Sequence, residues 1–168
     1  MIKKIVHFLE ALGEWAGKIS SWLILILIFT LVYEVISRHL FNKPTFWSYD
    51  ISYMLGGSAA FLGMAWVLKN RQHVRVDIFY EKLSERNKAI FDIVLSLCLF
   101  FPLVIFGFSN SLDAAINAFL REETAATGSW RPLIYPLRMV IPISLALLFL
   151  QGVADIIRNI YQLLGRRI

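Results

Sequence analysis

The sequence predicts an all-α integral membrane protein with four transmembrane helices, and three observations carry that prediction. Four long apolar stretches, residues 19–37, 48–68, 89–108 and 138–157, have no charge near their middles. Each supplies about the 20 helical residues needed to cross a bilayer core of about 30 Å. The composition is 58% hydrophobic with a mean hydropathy of +0.63, far above that of a soluble domain. Finally, the basic residues gather at the ends of the apolar stretches. The net charge of +5 therefore reads as an orientation signal, and nucleic acid is not an expected partner.

Lys3, Lys4 and Lys18 precede the first span, Lys69, Arg71, Arg75, Lys82, Arg86 and Lys88 lie between spans two and three, and Arg158, Arg166 and Arg167 close the chain. Only Arg38, Lys43, Arg121, Arg131 and Arg138 fall on the other side. The positive-inside rule then places both termini and the connector 69–88 in the cytoplasm, N-in and C-in, for a multi-pass membrane protein. The start of the chain does not read as a cleaved signal peptide, because its basic residues are spread out and no small-residue cleavage site follows. The whole chain is one membrane domain.

Residues 2–18 read as an amphipathic N-terminal helix. Ile2, Ile5, Leu9, Leu12 and Ala16 recur at helical spacing, with Lys3, Lys4, His7, Glu10 and Glu14 mostly elsewhere. Such a helix either lies at the membrane interface or extends the first span into the cytoplasm. The first span ends at Glu34 and Arg38, one turn apart, where a charge costs far less than at bilayer centre. Asn42-Lys43-Pro44 makes a short external turn, with Pro44 stopping the helix. Trp47 opens the second span, as an interfacial anchor or as a contact for another protein.

The second span is rich in small residues. Ser52, Gly56 and Ala60 form one ridge, with Gly57, Ala59 and Gly63 beside it. Lipid gives helices no hydrophobic reason to associate, so small residues that admit close backbone contact mark a packing face. That face meets either the other spans or a second protein. The cytoplasmic connector 69–88 carries an apolar stripe of Val76, Phe79, Tyr80 and Leu83, a short amphipathic helix with Asp77 as its cap. In the third span Pro102 predicts a kink, and helical spacing persists to about Leu120. An external loop, residues 109–137 including that helical extension, folds back through Gly128, Trp130, Pro132 and Pro136. Pro142 predicts a kink in the fourth span.

Few chemistries fit. The histidines His7, His39 and His73 lie outside the span interiors, so paired haem ligands are missing. One cysteine, Cys98, excludes an internal dithiol couple. Zinc spacing and a glycine-rich phosphate loop are missing as well, so the sequence predicts neither an enzyme nor a cofactor. Glu34 is the nearest membrane carboxylate to a proton or ion carrier, with Arg38 as a structural partner instead. Two function classes remain: an accessory subunit of a larger assembly, or a stand-alone oligomeric exporter that depends on Glu34.

The run Arg38-His39-Leu40-Phe41-Asn42 with Trp47 and Asp50, then His73-Val74-Arg75-Val76-Asp77, then Trp130-Arg131-Pro132 and Pro136, resembles the DctQ-type small membrane subunit of TRAP transporters. The chain carries Asp50 where many members carry Glu, which keeps the charge. The resemblance implies a tripartite, ATP-independent system for sodium-coupled uptake of organic acids. A large multi-helix membrane subunit would carry substrate, and a periplasmic substrate-binding protein would deliver it. The small subunit would brace the large one within the lipid bilayer and help dock the binding protein. On that reading Arg38 and Asp50 pair across the external turn, while His73 and Asp77 order the connector around Arg75.

Overall fold

The computed structural model describes residues 2–70, 85–126, 128 and 130–164. Residues 71–84, with His73, Arg75 and Asp77, lie outside the described residues, as does the amphipathic helix expected there. The helices are α1 (Ile2–Leu40), α2 (Ser48–Lys69), α3 (Glu85–Leu95), a five-residue π-helical segment (Ser96–Phe100), α4 (Phe101–Leu120) and α5 (Tyr135–Leu163). Among the described residues four runs are long and apolar enough to span a bilayer: Val6–Leu40, Ser48–Lys69, Asn87–Leu120 and Tyr135–Tyr161.

The inside of the bundle is small and the outside is large. Ala16, Ala59, Ala65, Ala115, Ala118 and Ala154 are buried, whereas Trp22, Phe29, Leu103 and Phe106 are exposed. A soluble core has the reverse arrangement. In lipid, small residues let backbones approach and bulky apolar side chains face the tails. Among the described residues helix α5 touches α1, α2, α3 and α4. Part of the small-residue surface of α2 packs within the chain: Ser20 Oγ donates to Ala59 O at 2.7 Å, and a β-carbon on Gly63 would stand 3.4 Å from Ser20 Oγ. Gly56 lies toward Leu27 of α1, and Gly57 toward Leu137 of α5. Ser52 is half-buried with its hydroxyl unpartnered, while Ala60 is exposed. Ser20→Ala should lower stability by about 0.6 kcal/mol, the usual worth of an interhelical hydrogen bond in a membrane, measured by denaturation in mixed micelles.

The structure bears on three expectations. Of the two arrangements open to residues 2–18, they adopt the extension of the first span. They continue unbroken into it, and Val6, Gly13 and Ala16 are buried against the rest of the bundle. Gly13 and Gly17 explain this: four residues apart on one face, they let α1 close on its neighbours. A β-carbon at Gly17 would lie 2.7 Å from Cγ of Trp66. The kink expected at Pro102 takes the form of the π segment just before it. Proline lacks the N–H that would bond back one turn, and its ring crowds that carbonyl. The preceding turn widens, and Phe101 N–H bonds Ser96 O, five residues back. Pro142, by contrast, sits inside an uninterrupted α5.

Candidate functional site

The polar residues of the fold concentrate at its two ends. At the end where α1 begins and α5 finishes, Glu14 pairs with Lys69 of α2 and Glu10 pairs with Arg158 of α5. Each pair joins residues far apart in sequence, so together they tie α1 to both neighbours. Deeper on the same side, Gln151 of α5 is 0% exposed, packed against Gly13 with neither amide atom partnered.

At the opposite end, Glu34 organises the turn 41–47. Its Oε1 accepts from Arg38 Nε at 2.9 Å, and its Oε2 accepts from Thr45 N–H at 3.0 Å and from the Thr45 hydroxyl. The i, i+4 spacing brings Arg38 to Glu34, so the guanidinium is on Glu34 and not on Asp50, contrary to the expected pairing across the turn. Asn42 adopts φ +52°, the left-handed conformation that asparagine tolerates, and Ser37 Oγ donates to Lys43 O at 2.5 Å. Trp47 stacks on Tyr33 of α1, ring centroids 5.9 Å apart.

Asp50 is instead covered by the loop between α4 and α5. It is 3% exposed in the first turn of α2, with Oδ2 unpartnered. Gly128 presses on it at φ +102°, and a β-carbon there would lie 2.6 Å from Asp50 Cγ. The two ends of the loop pair antiparallel: Ala125 N–H donates to Pro132 O at 2.8 Å and Ile134 N–H to Glu123 O at 2.9 Å. Arg138 at the start of α5 anchors it through Glu123 at 2.5 Å. Arg131 adopts φ +49°, and Trp130 beside it is 45% exposed.

Thus the structure joins Glu34 with Arg38, sets Trp47 on α1, buries Asp50 and leaves Trp130 on the surface. Sequence reasoning missed Thr45, the contact of Gly128 with Asp50, and Gln151. The first two act through the tertiary path of a loop, which leaves no local period. The Gly13–Gly17 spacing was a readable signal for the close α1 contact. Among the described residues, no group of three His, Cys, Asp or Glu side chains is placed to hold a metal.

The family model for the DctQ component of tripartite ATP-independent periplasmic transporters matches residues 27–162. The chain belongs to this family. DctQ proteins are transport components and not enzymes, so this chain is an accessory subunit of a TRAP transporter and a multi-pass membrane protein. It is 28% identical over 136 residues to the sialic acid TRAP transporter small permease protein SiaQ of Vibrio cholerae, covering 77% of this chain and 72% of that protein. It is also 23% identical over 114 residues to the sialic acid TRAP transporter permease protein SiaT of Haemophilus influenzae, covering 66% of this chain and 18% of that longer protein.

The Glu34 carboxylate is engaged by Arg38 and Thr45. Glu34→Ala should loosen the turn 41–47 and lower the melting temperature while transport by the assembled system persists. A variant that folds normally but abolishes uptake would overturn the structural role of this carboxylate.

Proposed function

We propose that this chain is the small membrane subunit that braces the large subunit of a sodium-coupled TRAP transporter for organic acid uptake, with both termini in the cytoplasm. The single observation that carries the reading is the likeness to a small permease protein over 72% of that protein's length. The likeness to a minor part of a much longer permease fits the same picture, in which the small and large membrane parts work side by side. Sialic acid, named for both relatives, is a carboxylic acid and belongs to the proposed substrate class.

The fold suits a brace. Among the described residues helix α5 contacts α1, α2, α3 and α4, and ion pairs tie both ends of the bundle. A body clamped in this way resists shear while a neighbour moves past it. In this role the loop 121–134, with Trp130 and Arg131, faces the periplasm and helps dock the substrate-binding protein. His73, Arg75 and Asp77 order the cytoplasmic connector.

The test is purification of tagged chain from its native membrane in mild detergent, with companions identified by mass spectrometry. A stoichiometric larger polytopic partner is expected, and a homo-oligomer without companions would refute the proposal. In proteoliposomes holding the full system, uptake of a labelled organic acid should require an inward sodium gradient and fall to background when potassium replaces sodium. Uptake indifferent to that exchange would refute the sodium coupling alone.

A further inference from the structure

The geometry points to a lipid site: the cleft between α1 and α2 binds the anionic phosphate headgroup of a membrane glycerophospholipid. The cleft is a half-open groove of about 610 Å³, and its lining includes Glu14, Lys18, Ser21, Ile24, Gly63 and Trp66. Its α1 wall is graded. Glu14, Lys18, Ser21 and Ile24 follow at helical steps along one face, running from charged through hydroxyl-bearing to apolar. The α2 wall is formed by Trp66 and Val67, with Gly63 packed toward Ser20 of α1.

The position of the mouth decides what enters. Lys18 is the last charge on α1 before an uncharged run from Ile19 to Tyr33, and Lys69 closes α2. The mouth therefore lies where the hydrocarbon ends and lipid phosphates begin. Glu14 is engaged by Lys69. Lys18 is exposed, and its ammonium sits 5.5 Å from the ring centroid of Trp15. An ammonium carries three donors, and an aromatic face occupies none of them fully, so Lys18 retains donors for a phosphate. A free phosphate ion would use only this mouth. The apolar floor at Ile24 and Val67 adds a surface for an acyl chain, and that commits the cleft to an amphiphile.

The experiment is native mass spectrometry of the full chain, delipidated in detergent and titrated with dioleoyl phosphatidylglycerol or with inorganic phosphate. One tightly retained phosphatidylglycerol is expected. Lys18→Ala should reduce its retention about fivefold, the usual worth of one lysine near an anionic lipid surface. Lys18→Arg should restore it, which also separates a lost contact from a misfolded chain. Lys4→Ala, remote from the cleft, should leave retention unchanged. Equal retention by Lys18→Ala and the parent, or an equal loss in Lys4→Ala, would overturn the site. Inorganic phosphate that competes the lipid away would show an ion site and overturn the lipid assignment.

Discussion

Gly128→Ala should cost about 2–4 kcal/mol and lift the loop 121–134 from the start of α2, because two penalties coincide at this residue. At φ +102° an L side chain is strained wherever it points. The added β-carbon would also strike the carboxylate of Asp50, which is short, buried and unable to swing clear. The loop is anchored separately by Arg138 on Glu123, so the damage should be local. Limited proteolysis should cut the variant within 121–134 while the helices remain protected. A double variant with Asp50→Ala relieves the collision but not the backbone strain, so it should recover part of the loss. Parent-like resistance in Gly128→Ala would show that Gly128 is not the residue holding this loop down.

Gln151→Met should act with the opposite sign and raise stability by about 1–3 kcal/mol, the usual penalty of leaving a buried polar group unpaired. Gln151 is fully buried, and neither end of its amide has a partner. Methionine has nearly the same shape without the polar atoms, so packing against Gly13 is preserved. Thermal denaturation of the isolated chain in detergent reads the effect directly. A fall in melting temperature would show that the amide is paired in solution and overturn this prediction.

The contrast between these residues and the helices shows what a sequence carries. The four spans were legible because each needs only a long run of apolar residues. The Glu34–Arg38 pair was legible because its geometry is a property of one helix. Where α1 begins was not legible from amphipathicity, since an apolar stripe looks the same against lipid headgroups as against Ala65 and Gln151. The Arg38–Asp50 pairing failed because two charges flanking a short turn looked adjacent. Thr45 closed the turn onto Glu34 instead, and a distant loop claimed Asp50. Pro102 announced a departure from regular helix, but only the path of the chain showed it to be a widened turn. The bond from Phe101 to Ser96 restores one of the backbone links that proline disrupts.

The unbroken α1 has a mechanical consequence. At 1.5 Å per residue its 39 residues measure about 58 Å, nearly twice the roughly 30 Å of hydrocarbon that a span must cross. The surplus must stand in water as a rigid spar or be taken up by a steep lean through the bilayer. In either case the rod has no hinge between its two ends. Leverage applied where Glu10 grips Arg158 is delivered at the turn held by Glu34, on the opposite face of the membrane.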